Sequence, residues 1–128
     1  MTGVVPYLLF DGEARAALAF YAEVFGGEHW SSDAEGRIGH GEVRGPVRLF
    51  VADTEPGRPA WRLEGGFLAL LGAAEPEVLA RWFAALAEGG VVLAPLEPQP
   101  WGDHEGRVTD RFGVTWLVGW EGASAPER

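Results

Sequence analysis

Apolar residues run without a break from Val4 to Phe10 and stop at Asp11-Gly12. A short run with β-branched and aromatic members, closed by a turn pair, predicts a strand. Over Glu13–Phe25 the spacing changes. Ala14, Ala17, Leu18, Tyr21, Val24 and Phe25 fall at helical intervals, so a helix with one buried stripe is expected. Gly26-Gly27 stops it. Glu28–Ser32 reads as a short strand. Gly36–Arg44 and Pro46–Ala52 read as a hairpin around Gly45-Pro46, with Pro46 at the strand start because proline cannot donate to a ladder. Asp53–Arg62, which contains Glu55-Pro-Gly-Arg-Pro59, reads as a linker.

The order then recurs. Gly66–Leu71 predicts a strand. Glu75–Glu88 predicts a helix, with Pro76 in its first turn and Val78, Leu79, Trp82, Phe83 and Leu86 on one side. Gly89-Gly90 ends it. Val91–Leu96, Gly106–Thr109 and Val114–Trp120 predict strands, and Glu121–Arg128 a frayed tail. Phe20 precedes Gly26-Gly27 by six residues, and Phe83 precedes Gly89-Gly90 by six. Both landmarks therefore recur at an interval of 63 residues in a chain of 128. The pattern predicts an α+β fold of two tandem βαβββ modules, about 4–53 and 65–120, with linker 54–64. They form one domain over 1–120, and 121–128 is a flexible tail. A helix covers one face of each sheet, and the other faces line a concave cavity. Two unrelated halves with matching Gly-Gly stops are the alternative.

Charge narrows the function. There are 10 basic and 19 acidic residues, a net −9, and no Lys/Arg cluster offsets it. Phosphate-backbone binding and an anionic membrane surface are disfavoured. No apolar run approaches the roughly 18 residues of a membrane span. The N-terminus lacks the basic region of a signal peptide. Absence of cysteine removes disulfides, thiol nucleophiles and Cys-ligated metals. A cytoplasmic location is expected.

Candidate chemistry lies in two stretches. His40 and Glu42 alternate on one strand, so both side chains share a face. They are the candidate catalytic residues, as an imidazole–carboxylate base or as half of a metal site. Two ligands alone do not hold a catalytic metal, and a face on which Arg44 pairs with Glu42 is the competing reading. Trp101–Trp116 holds two Trp, a His and charged residues among three glycines. It reads as two strands around a turn at Asp110–Gly113, either lining a ligand site or simply packing its tryptophans in the core. Asp103, His104 and Glu105 are adjacent and cannot easily converge on a metal. Trp101, Trp116 and Trp120 supply aromatic surface. Trp116 and Val118 are assigned to the helix side, and Thr115 and Leu117 to the groove. Trp82 is expected in the core, and His29 is read as structural.

Pro6-Tyr-Leu-Leu-Phe-Asp-Gly12 followed by Phe20-Tyr21 and Phe25-Gly26 resembles the opening of the PhnB-like branch of the vicinal oxygen chelate superfamily. That superfamily contains the glyoxalase, bleomycin-resistance and dioxygenase proteins. His40-Gly-Glu-Val-Arg44 and Arg48-Leu-Phe-Val-Ala-Asp53 resemble its middle hairpin. Pro95-Leu96, Trp101-Gly102-Asp103, Gly106-Arg-Val108, Asp110-Arg-Phe-Gly113 and Trp116 resemble its closing signature, with Arg111 where proline is common. The resemblance implies paired βαβββ modules in a homodimer. It also implies where a divalent metal sits in the superfamily's enzymes, with one ligand from each of four strands. Those positions fall here on Val5 or Pro6, within Arg48–Ala52, at Gly66-Phe67 and on Leu117. None offers a His or an acid. The expectation is a cavity that binds a small apolar or aromatic ligand without a metal, as in sequestration, with no cofactor. The ligand-binding residues would be Tyr7, Phe50, Trp101, His104, Arg107, Thr115 and Leu117. The alternative is a metal-dependent lyase, isomerase or dioxygenase with a divalent metal displaced to His40, Glu42 and His104.

Overall fold

A computed structural model describes residues 3–122. The order is β1 (Tyr7–Phe10), α1 (Ala14–Phe25), β2 (Glu28–Ala34), β3 (Arg37–Arg44), β4 (Leu49–Asp53), β5 (Leu68–Leu71), α2 (Pro76–Ala87), β6 (Val91–Pro98), β7 (His104–Thr109) and β8 (Thr115–Trp120). The strands form two four-stranded mixed sheets, β1-β4-β3-β2 and β5-β8-β7-β6. The chain is thus α+β, with two tandem βαβββ modules of one topology. They form two compact units, Met1–Arg62 and Leu63–Arg128, and the boundary falls in the stretch read as the linker.

In the first unit β1 and β4 are parallel, while β3 runs antiparallel to both β4 and β2. Ala14, Ala17, Leu18, Tyr21, Ala22 and Phe25 of α1 are buried. They pack on Leu8, Phe10, Val43, Leu49 and Val51, all in the core. Each buried aliphatic or aromatic side chain of this kind contributes about 1.5–3 kcal/mol. The second unit repeats the plan with Leu79, Trp82, Phe83 and Leu86 of α2 against Leu70, Val108, Trp116 and Val118.

The inward faces of the helices correspond at an interval of 61 residues: Leu18 with Leu79, Tyr21 with Trp82, Ala22 with Phe83, Phe25 with Leu86. The 63-residue interval through Phe20 and Phe83 is therefore out of phase. Phe20 is only half-buried whereas Phe83 is buried. The Gly-Gly stops lie two residues further along because the helix ends differ. Gly26 itself caps α1, and its N–H bonds the Ala22 carbonyl. Glu88 caps α2, one residue before Gly89.

Several strand limits differ from the sequence expectation. Val4 is fully exposed and β1 starts only at Tyr7. The first hairpin turns at Glu35-Gly36, both with positive φ, so β2 runs on to Ala34. Gly39 is bulged out where the β2–β3 register shifts. β4 begins at Leu49, after Pro46 has left the ladder. β6 and β7 both extend further toward their connection than expected. The tail at 123–128 lies outside the described residues.

Candidate functional site

In the first sheet, Gly41 and Val51 face α1, since a Cβ on Gly41 would meet Val51 and Leu18. Their neighbours Glu42 and Phe50 therefore face away. Register continues this row across all four strands: Tyr7 on β1, Phe50 on β4, Glu42 on β3 and Trp30 on β2. His40 sits two residues along on β3, on the same face as Glu42 and opposite Ser32. The helix-free face thus gathers three rings around the His40 imidazole. From the His40 ring, the centroids lie 5.0 Å away for Phe50, 5.4 Å for Tyr7 and 5.6 Å for Trp30. All are tilted or edge-on, the arrangement aromatic quadrupoles favour. Tyr7 and Trp30 are about half exposed, at 48% and 47%, so this aromatic surface is open to a ligand.

Polar contacts order the cluster. The Tyr7 hydroxyl and His40 Nδ1 are 2.8 Å apart. Glu42 is buried, at 4% exposure, and its Oε1 accepts from Arg44 Nε and Arg48 Nη2, each at 2.7 Å. The Arg44 hydrogen bond, then that of Arg48, holds the carboxyl below its ordinary value. Glu42 Oε2 lies 3.9 Å from His40 Nε2. The Arg48 guanidinium sits 5.6 Å above the Phe50 ring. Arg44 is in turn influenced by Glu28, its cross-strand partner.

The second sheet distributes the remaining sequence-predicted residues differently. Gly106 lies under α2, where an added Cβ would crowd Phe83. Its partner is Val118, as Val51 partners Gly41. That match makes Leu117 the counterpart of Phe50, and Arg107 of Glu42. Leu117, Arg107 and Ala69 form the helix-free row. Arg107 lies 5.2 Å over Phe67, and the Thr115 hydroxyl is 2.8 Å from that of Thr109. His104 is on the other face, in phase with Gly106 and Val108. Its ring stacks on Trp120 at 4.8 Å, and its buried Nδ1 finds no hydrogen-bond partner among the described residues. His104 and Trp120 line a cleft of about 340 Å³ at the strand ends, with Leu71, Gly72, Asp103, Glu105 and Glu121. Trp101 is in the β6–β7 connection, 49% exposed.

Tyr7, His40, Glu42 and Phe50 therefore come together in the first unit. Arg107, Thr115 and Leu117 share a face in the second, while His104 and Trp101 lie off it. The sequence reading missed Trp30 and Arg48. Trp30 was legible as the residue alternating with Ser32 on a strand. Arg48 precedes β4 and carried no periodic signal. Among the described residues no group of three or more His, Asp or Glu could hold a metal. Phe50 and Leu117 are hydrocarbons, and two guanidinium groups already bond Glu42. A divalent cation needs N or O donors with free lone pairs, so this donor set does not fit one.

The sequence pattern of the Glyoxalase/Bleomycin resistance protein/Dioxygenase superfamily matches residues 3–118, and the chain belongs to that superfamily. Among solved structures, it is similar to protein PA1353 from Pseudomonas aeruginosa, at 33% identity and TM-score 0.81, covering 95% of this chain and 99% of that one. The PhnB protein from Bacillus cereus shares the fold, at 22% identity and TM-score 0.73, covering 95% and 100%. Protein YjdN of Escherichia coli (strain K12) is 27% identical over 137 residues, 88% of this chain and 91% of that protein. No helix among the described residues is long and apolar enough to cross a membrane.

Proposed function

We propose that this chain binds a small apolar or aromatic molecule without a metal, in the cytoplasm and as a homodimer, and that sequestration is one use of that binding. The observation that carries the reading is the helix-free face of the first sheet, where half-exposed Tyr7 and Trp30 join His40 and Phe50 in one aromatic surface. Such a surface with a few placed polar groups is the usual composition of a small-molecule site. Superfamily membership supports the same reading, and the poor donor set argues for binding without a metal.

Titration calorimetry with indole, benzamide and phenylacetone tests it. At least one should bind, and Trp30→Ala and Phe50→Ala should each weaken it about tenfold, roughly 1.4 kcal/mol. Absence of binding by all three, or stoichiometric divalent metal retained after purification and required for binding, would overturn the proposal.

A further inference from the structure

Glu42 is the acid that sequence spacing offers as a base beside His40. The structure disarms it. Two guanidinium hydrogen bonds on Oε1 hold it as a carboxylate, and a carboxylate so stabilised is a poor proton acceptor. The group in hydrogen-bond contact with His40 is instead the Tyr7 hydroxyl, 2.8 Å from Nδ1. We infer that Tyr7 and His40 form a metal-free proton-transfer pair, acting on a small carbonyl compound that has a C–H beside its carbonyl and an apolar or aromatic substituent. This rests on the binding reading above.

The tautomer follows from charge. The Glu42 carboxylate faces His40 Nε2 at 3.9 Å, which favours the proton on that nitrogen and leaves Nδ1 as the acceptor. Burial raises the Tyr7 phenol, so Tyr7 keeps its proton at neutral pH and donates to Nδ1. The step then balances without any co-reactant. The substrate C–H bond breaks, and its electron pair moves into the carbonyl, which becomes an enolate. The proton passes to the Tyr7 oxygen as the Tyr7 proton passes to His40 Nδ1. Glu42 is a positioning residue that steadies the resulting imidazolium. Arg48 stays paired with Glu42 through Nη2; over the Phe50 ring and one-third exposed, it offers its remaining N–H groups to the enolate oxygen. Return of the proton to the same carbon, from one side or the other, restores or epimerises the substrate.

Phenylacetone in D2O is the test, with deuterium wash-in at the carbons beside its carbonyl followed by proton NMR. The wild-type chain should accelerate wash-in above buffer. At saturating ketone, Tyr7→Phe and His40→Gln should each reduce the rate about 100-fold, the low end of a general base's contribution. The groups facing His40 are Tyr7 from β1, Trp30 and Ser32 from β2, Glu42 on its own strand and Phe50 from β4. Ketone that binds without accelerated exchange overturns this inference and leaves the binding reading intact. Ketone, indole and benzamide that all fail to bind overturn the binding reading itself. Should Tyr7→Phe fold poorly, His40→Gln carries the kinetic arm. Nitrogen-15 NMR of the His40 ring adds a substrate-free arm. A neutral ring carrying its proton on Nδ1 overturns the pair.

Discussion

Asp110 accounts for much of the Trp101–Trp116 stretch with no ligand involved. Its Oδ1 accepts from the Phe112 and Val114 amides at 2.9 and 3.1 Å, and its Oδ2 accepts from Trp116 Nε1 at 2.9 Å. One buried carboxylate thus closes the β7–β8 turn and satisfies the indole N–H of a tryptophan that is 1% exposed. Of the two readings open for this stretch, packing explains Asp110 and Trp116. Asp53 acts similarly in the first unit, taking the Ala14 and Ile38 amides at 3.0 Å each. Arg111 donates from Nε and Nη2 to the Glu88 carbonyl at the end of α2, a favourable place for a cation. Leaving a buried indole donor unpaired costs about 1–3 kcal/mol. Asp110→Ala should therefore lower the unfolding free energy by about 2–3 kcal/mol in urea titration, since two amides also lose their acceptor. A loss under about 0.5 kcal/mol would show that water replaces the carboxylate fully.

At the scale of elements, the paired glycines do two jobs. The first of each pair has positive φ at a helix end, Gly26 at +79° and Gly89 at +74°. The second is a close-approach residue. A Cβ on Gly27 would strike the Arg44 carbonyl, and one on Gly90 the Thr109 carbonyl. Each lets a strand start flush against its partner. Gly41 and Gly106 share a further role, as the flat places on which the helices rest. Gly41 leaves some room, with the nearest atom to an added Cβ at 3.0 Å on the Val51 side chain. At Gly106 the neighbours are Leu96 backbone at 2.7 Å and Phe83 at 2.8 Å, and backbone cannot swing aside. Overpacking typically costs about 1–3 kcal/mol. Gly106→Ala should fall at the upper end and Gly41→Ala at the lower, so thermal unfolding should show a larger drop in Tm for Gly106→Ala. The reverse order would mean that β6 yields more easily than its ladder suggests.

At the scale of the whole molecule, a net charge of −9 works against nonspecific association, yet apolar surface is prominent on one strand. β6 is the edge of its sheet, and Val91, Val92 and Leu93 are exposed at 62%, 46% and 57%. An exposed apolar edge invites pairing with another chain, which agrees with the proposed homodimer. Sedimentation equilibrium should return twice the chain mass of 13.8 kDa, and Leu93→Asp should shift it toward the monomer. A wild-type chain that sediments as a monomer at micromolar concentration would remove the dimer from the proposal.

The sequence by itself determined the class of the fold. Both helices were legible because their buried residues recur at 3.6-residue spacing and glycines stop them. The duplication was legible because each module repeats the same punctuation. It also showed that Arg48–Ala52 and Leu117 offer no His or acid, since this depends only on side-chain identity. Only the tertiary structure decided which residues meet. Tyr7 and His40 are 33 positions apart, and their contact depends on the parallel β1–β4 pairing and the β3–β4 register, neither of which leaves a periodic mark. Burial of Glu42 between Arg44 and Arg48 needed the β3–β4 register. In the second unit β7 begins at His104, which turns it away from Arg107 and Leu117, because residues an odd number of positions apart on one strand point to opposite faces.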